Sequence, residues 1–338
     1  TTGGRSSPAD PLMNRIALDA MGGDHAPQET VRGAVDAAAR GVDVVLVGDE
    51  PRLRALLAEY RADLPVVHAP ETIGMGEDVA SALREKRQSS IGVAARLVAG
   101  GEAAGLVSAG STGATLAAAA ILMGRVSGIS RPALASVFPV GHPTVVLDVG
   151  ANLEVRPEHL VHFGIMGSAF AQTYLGVAEP TVGLLNIGEE AGKGRPLEKE
   201  AHALLAAARL RFVGNVEGRD LGRGKADVFV TDGFTGNVLL KGAEGMGAAV
   251  GRLVLEALGE DDPALAAAIP VVLPRVLAVR ERLDPDTYGG AHLLGLKGIA
   301  VVAHGSASRV AVANALALAA EGAAGGLVGR IEAGVGGG

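Results

Sequence analysis

The chain has 338 residues, 48% of them hydrophobic but only 3% aromatic, no cysteine and a formal net charge of −7. That length and apolar content allow a sizeable core. The missing cysteines exclude disulfides, thiolate metal sites and a cysteine nucleophile, and an acidic chain without a Lys/Arg-rich run lacks the footprint of a general nucleic-acid binder.

Residues 1–12 are polar, lack the apolar heart of a signal peptide and are expected to form a disordered extension, with Met13 an alternative start. The stretch 16–27, IALDAMGGDHAP, reads as a strand, a tight polar turn and a helix start. Glycines let backbone N–H groups approach a ligand, and a helix N-terminus carries partial positive charge, so the turn suits an anion. Residues 28–40 read as an amphipathic helix, 43–48 as a buried strand, 51–61 as a second helix and 65–68 as a short strand. A helical stretch over 77–100 is expected to break before Ser89 and Ser90. Its first half carries Arg84, Lys86 and Arg87, which read either as a solvated face or as a dock for an acidic partner.

The next strand, 106–108, leads through GSTG into an Ala-rich helix over 114–124, which puts Ser111, Thr112 and Gly113 at a helix N-terminus as caps or ligands. Residues 131–139 and 144–149 flank the turn VGHP and predict a hairpin, adding antiparallel pairing to a mostly parallel sheet. A helix is expected over 157–176, a strand over 182–187, and a helix from 196 to 209 after the loop GEEAGKG. Strands at 212–216 and 227–231 precede a long helix from 238 towards 258. Residues 259–283 read as a loop and a second long helix, so that about 238–283 forms a protruding helical hairpin whose apolar 269–277 suits a dimer or membrane contact. Residues 288–296 read as a loop, 299–302 as the last strand, 306–321 as the closing helix and 326–338 as a flexible glycine-rich tail. No apolar run is long enough to span a bilayer; the nearest, 263–279, is interrupted by Pro270, Pro274 and Arg275.

The expected architecture is one α/β domain over 13–325, layered α/β/α. Six of its strands end in small polar turns, at 16–27, 106–113, 145–152, 182–194, 228–237 and 299–308. In a parallel sheet with helical crossovers such turns gather along one edge, where open α/β proteins bind ligands. They predict one polar, phosphate-sized site.

Missing motifs narrow the chemistry. No G-x-G-x-x-G follows a strand, GEEAGKG does not complete a P-loop, and HExxH and G-x-S-x-G do not occur. The strand-end acids Asp19, Asp24, Asp148, Glu189 and Asp232 are assigned to loop shaping, since an unpaired carboxylate would repel phosphate; a Mg²⁺ site on these oxygens is the alternative. No metal or cofactor is expected.

The motifs IALDAMGGDHAP, SAGSTGA, RPALASVFP, LDVGAN, PEHLVHFGIMGS, VGLLNIGEEAGKG, VGNVEGRD, DGFTGNVLLK and YGGAHLLGLKG followed by AHGSAS resemble, in this order, the bacterial phosphate acyltransferase family, over about residues 13–320. Ser111 stands where that family usually has Asn, His292 where Pro is usual, and Lys297 in place of a common Asn. The resemblance implies transfer of a long-chain acyl group from acyl carrier protein to inorganic phosphate. The acyl phosphate formed would go to a membrane glycerol-3-phosphate acyltransferase in phospholipid synthesis. It also implies a homodimer, a fold similar to isocitrate dehydrogenase-like and phosphotransacetylase proteins, and a cytoplasmic protein reversibly associated with membrane.

Elementary chemistry agrees. Phosphate is already an anionic nucleophile near neutral pH and a thiol leaving group has a pKa of about 8.5, so neither demands a strong catalytic base or acid. Holding phosphate in line with the thioester contributes about 7–11 kcal/mol, and one oxyanion donor about 2.7–4 kcal/mol. The first candidates are Lys193 as the cation on phosphate or oxyanion and Asn237 as a neutral donor, with His304 a proton carrier or a structural strand-end histidine. Gly22, Gly23, Ser108, Ser111, Thr112, Gly113, Asn186, Lys241 and Ser306 complete the expected anion site. Three other readings stand beside this one: a phosphotransacetylase acting on small acyl-coenzyme A thioesters, a noncatalytic regulator binding acyl carrier protein or lipid, and a dehydrogenase of similar fold.

Overall fold

A computed structural model describes residues 14–74, 76–77, 79–258, 263–283, 287 and 289–336. The extension expected over 1–12, Met13, and the turn expected at 259–262 lie outside the described residues. Two compact units form, one of Thr1–Val126 and Leu296–Val328, the other of Ser127–Gly295 and Gly329–Gly338.

In the first unit the strands are β1 (Ile16–Asp19), β2 (Val44–Gly48), β3 (Val66–His68), β4 (Gly105–Ser108) and β11 (Ile299–Val302), in the order β3-β2-β1-β4-β11 and all parallel. Every residue of β1, β2, β4 and β11 is buried, as expected of parallel strands covered on both faces. The crossovers are α1 (Gln28–Ala39), α2 (Glu50–Glu59), α3 (Val79–Glu85), α4 (Ser90–Ala99) and α5 (Thr112–Ala118). As the serines at 89 and 90 suggest, the stretch between β3 and β4 breaks into two helices. The Ala-rich helix after β4 is α-helical only to Ala118 and continues as a π-turn over Ala119–Met123. Helix α1 lies on α10 (Arg309–Ala324) so closely that a Cβ on Gly33 would sit 2.6 Å from Val312 Cβ. Few aromatics are needed where helices approach this closely.

The second unit has β5 (Ala133–Phe138), β6 (Thr144–Leu147), β7 (Thr181–Leu185), β8 (Arg211–Val216), β9 (Val228–Val230) and β10 (Ala291–Leu294), in the order β10-β5-β6-β9-β7-β8. Strands β6, β9, β7 and β8 run parallel, whereas β5 pairs antiparallel with β6 and β10, so the hairpin read from the sequence is present. The fold is therefore α/β with mostly parallel strands. Helix α6 (Pro157–Tyr174) carries Phe163, Met166 and Phe170 into the core, and α7 (Pro196–Ala207) packs against α6. Helices α8 (Gly233–Leu258) and α9 (Pro263–Leu283) pack on one another as the expected hairpin. Phe234, Val238, Met246, Leu253 and Val271 are exposed on it.

Two stretches depart from the sequence reading. Residues 291–294, expected as loop, form β10: four residues between glycines are too short to show alternation, and the antiparallel partner β5 supplies the ladder. The expected flexible tail is instead largely helix α11 (Leu327–Gly336), because Leu327 and Ile331, one turn apart, are both buried to 1% exposure. Its glycines disguise that pair. Among the described residues no single helix is long and apolar enough to cross a membrane.

Candidate active site

The six strand-end turns fall three to each unit, and each set belongs to adjacent parallel strands. In the first unit these are β1, β4 and β11, whose register pairs Asp19 with Ser108 and Ser108 with Val302. Ser108 Oγ donates to Asp19 Oδ2 at 2.7 Å and accepts from the Gly110 N–H at 3.1 Å. Both side chains are buried, and Asp19 Oδ1 has no hydrogen-bond partner. Burial pushes the Asp19 carboxyl above its ordinary value, against the pull of the Ser90 and Ser108 hydroxyls. Gly22 passes so near this pair that a Cβ there would sit 2.5 Å from Asp19 Oδ2 and 2.9 Å from Gly110 N. Only glycine fits.

Gly23 follows at φ 111°, and the N–H of Asp24 donates to the Gly305 carbonyl at 2.8 Å, tying the β1 turn to the β11 turn. The Asp24 side chain is exposed. Ser111 precedes α5 without capping it through its side chain, its carbonyl accepting from Thr115 instead, and Thr112 and Gly113 are exposed in the first turn. His304 and Ser306 are exposed after β11; the Ser306 backbone N–H donates to His304 Nδ1 at 3.3 Å and its Oγ lies 2.8 Å from the same nitrogen. A neutral His304 accepting there carries its proton on Nε2, the nitrogen left for a ligand.

The second unit brings together the ends of β6, β9 and β7. Asp148, directly after β6 and fully buried, accepts from the backbone of Leu134, Gly150, Ala151 and Asn152 and from Asn152 Nδ2, at 2.7–3.1 Å. Burial leaves its carboxyl above the ordinary range even so, because five donors only partly offset desolvation. Asp232, after β9, is held differently. Burial works to raise it, but the Thr235 N–H, the Arg195 guanidinium and the Thr235 hydroxyl leave it below its ordinary value.

Lys193 stands exposed on the loop after β7. Asn186 donates to the Lys193 carbonyl at 3.1 Å and accepts from Ile187 N–H at 2.8 Å, while Asn215 donates to the Glu190 carbonyl at 2.8 Å. Asn186, expected as an anion ligand, thus spends its amide on the loop that carries Lys193. Glu189 pairs with Lys225 at 2.9 Å, and Lys225 also reaches Asp220 at 3.1 Å. Asn237, exposed in the first turns of α8, donates to the Val149 carbonyl at 3.0 Å, which joins the β6 turn to the helix. Lys241, one turn on, pairs with Glu244 at 2.8 Å. Among the described residues no group of three or more His, Asp or Glu side chains is placed to hold a metal ion.

Sequence reasoning passed over Arg195. Its side chain grips Glu198 in the first turn of its own helix and donates to Asp232 Oδ2 at 2.6 Å, while Glu198 accepts from the Arg195 N–H at 2.7 Å. The signal was present: Arg-Pro followed by Glu two residues on is a helix start with an acid placed to cap it. Asn215 and Ser90 carried no such signal, since each acts only through strands or helices distant in sequence.

This architecture is shared with solved α/β structures. A phosphotransacetylase from Streptococcus pyogenes superposes with a TM-score of 0.65 over 92% of this chain and 94% of its own, at 18% identity. A 4-hydroxythreonine-4-phosphate dehydrogenase from Klebsiella pneumoniae does so with a TM-score of 0.54 over 90% and 98%, at 15% identity. At sequence level, residues 14–330 match the fatty acid synthesis protein family. A phosphate acyltransferase of Thermus thermophilus is 50% identical over 320 residues, 94% of this chain and 97% of its own. Another, of Heliobacterium modesticaldum, is 48% identical over 314 residues, 91% and 93% of the two chains. The chain belongs to this family of phosphate acyltransferases.

Proposed function

We propose that this protein transfers a long-chain fatty acyl group from the thioester of acyl carrier protein to inorganic phosphate, giving acyl phosphate for phospholipid synthesis. A phosphate oxygen bonds to the thioester carbonyl carbon, the C–S bond breaks, and the proton that hydrogen phosphate gives up passes by way of His304 to the departing carrier thiolate. Phosphate already bears the charge it needs and the thiolate is a competent leaving group, so the protein has to position and stabilise.

The observation that carries this reading is the Lys193 loop. A cation is presented by a turn that Asn186 and Asn215 pin by its backbone carbonyls. The Lys193 ammonium has no ion-pair partner among the described residues, unlike Lys225 and Lys241. Such a group is fit to meet an anion that arrives as substrate. Lys193 is assigned to phosphate or the developing oxyanion, Asn237 to a neutral donor, and Lys241 to the surrounding positive field. In the other unit Gly22, Gly23, Ser108, Ser111, Thr112, Gly113 and Ser306 are assigned to substrate, with His304 Nε2 as the proton carrier. Asp19, Asp24, Asp148, Glu189 and Asp232 shape the turns. The exposed apolar hairpin α8–α9 supports a cytoplasmic homodimer that touches the membrane surface and hands its product to a membrane glycerol-3-phosphate acyltransferase.

The test is phosphate-dependent release of free thiol from palmitoyl acyl carrier protein, with the product trapped as hydroxamate. Release with hydroxamate formation supports the proposal. Turnover confined to acetyl-coenzyme A would assign a phosphotransacetylase instead, and carrier-protein binding without release a noncatalytic regulator.

A further inference from the structure

The segment 213–220, VGNVEGRD, forms the end of β8 and the turn after it, and supplies none of the candidate donors. Its strand is irregular at one point. Phe212 pairs with Val182 and Asn215 with Leu184, so Val213 and Gly214 together stand opposite Gly183 alone. Such an insertion is a β-bulge, and Gly214 meets it at φ 91°, a backbone conformation that a side chain would strain. Strict alternation would put Asn215 on the face of Arg211 and Val213, both exposed. The bulge returns it to the face of Phe212, where it is 3% exposed.

Turned inward, Asn215 Nδ2 donates to the Glu190 carbonyl at 2.8 Å. The same carbonyl accepts from the Lys193 N–H at 3.0 Å, which closes the turn 190–193. Asn186 holds the other end of that turn through the Lys193 carbonyl, and its own N–H donates to the Val216 carbonyl at 2.8 Å. A second tether leaves the same segment: Asp220 accepts from Lys225 at 3.1 Å, and Lys225 pairs with Glu189 at 2.9 Å. Lys225 thereby occupies a carboxylate that stands four residues from Lys193 on the same loop. Packing alone does not account for Asn215. Its Oδ1 is buried without a hydrogen-bond partner, and an apolar side chain of the same shape would leave no such group.

We propose that Asn215 and Lys225 are positioning residues that hold the Lys193 ammonium where phosphate binds. The inference rests on the acyl-transfer reading above, with Lys193 on phosphate, and adds to it the device that aims the cation. Asn215 acts through the loop backbone and Lys225 through Glu189, not on substrate.

The experiment measures kcat and the KM for phosphate of the full chain with saturating palmitoyl acyl carrier protein. Asn215→Leu keeps the shape and removes the donor, and is expected to raise that KM about tenfold, the effect of one net hydrogen bond, with kcat little changed. Lys225→Met acts in the same direction and serves if the first variant does not fold, whereas Lys225→Arg keeps the ion pair and the wild-type KM. In a Lys193→Ala background Asn215→Leu raises the KM no further, because its effect passes through Lys193. A merely structural role would lower kcat with the KM unmoved; that result, or additive effects in the double variant, overturns the proposal. Should the wild-type chain turn over no acyl thioester, the transfer reading fails by itself, and the clamp is then judged by calorimetric titration with inorganic phosphate. Binding weakened by Asn215→Leu and by Lys225→Met sustains it; no binding, or binding equal to wild type in both variants, refutes it.

Discussion

Arg195 donates to Asp232 Oδ2 at 2.6 Å and so ties the first turn of α7 to the end of β9. Asp232 is buried, whereas the Arg195 side chain is 57% exposed, so solvent screens part of the attraction. Arg195→Ala is expected to cost about 1.5 kcal/mol, the lower end for a hydrogen bond to a charged group. Wild-type Asp232 has its pKa depressed on folding, so its contribution is complete above the unfolded carboxyl pKa and is lost as pH falls through the folded value. Urea midpoints measured from pH 7 to pH 3 should show the variant weaker at neutral pH, with the difference narrowing in acid. A constant difference would separate Arg195 from Asp232.

His292 tests the opposite sign. It is 1% exposed, packs against the rings of Phe170 and Tyr174 with centroids 5.2 and 4.9 Å away, and its Nε2 has no partner. Burial lowers its pKa from 6.5 to about 3. Between those values the unfolded chain binds a proton that the folded chain refuses, so stability falls as pH falls, by at most about 1.4 kcal/mol per pH unit. His292→Leu should flatten that limb in thermal melts between pH 7 and pH 4. An unchanged slope would show that His292 is not its source.

Lys193→Ala separates function from folding. Loss of a donor to the oxyanion or phosphate is expected to reduce kcat/KM by about 10²–10³. The exposed ammonium has no ion-pair partner among the described residues, so the unfolding free energy should stay within the range of neutral surface changes, about ±0.5 kcal/mol, in urea titration. Full turnover with an unaltered phosphate dependence would remove Lys193 from the mechanism.

Gly22→Ala probes the crowded β1 turn. The added methyl meets Asp19 Oδ2, Gly110 N and Ser108 Oγ within 3.0 Å, and overpacking of this kind costs about 1–3 kcal/mol. Chemical denaturation should show that loss. Stability equal to wild type would mean that the turn has room to yield.

Much of this was legible in the chain. Apolar runs ending in small polar turns located β1, β4, β6, β7, β9 and β11, and the VGHP turn announced antiparallel pairing, because turn chemistry and strand periodicity are local properties. Register is not local. Nothing around Asp19 points to Ser108, eighty-nine positions away, yet the pairing of β1 with β4 sets them side by side at the strand ends. The same holds for Asn186, whose residue type suits a ligand but whose amide is taken up by the Lys193 carbonyl. Strand β10 escaped notice because four residues carry too little pattern, and α11 because its glycines outweigh two well-placed apolar side chains.

The division of the chain into units also sets an order of manufacture. The central unit has all six of its strands once residue 295 has been made, whereas the first unit is interrupted at Val126 and resumes only at Leu296. Its fifth strand, β11, pairs with β4, and the helix that closes against α1 is α10. A nascent chain leaving the ribosome therefore carries an unfinished first unit, with one edge of β4 bare and one face of α1 uncovered, while the inserted unit takes shape. Premature termination near residue 295 deletes the end of the polypeptide and, with it, the structural integrity of the beginning.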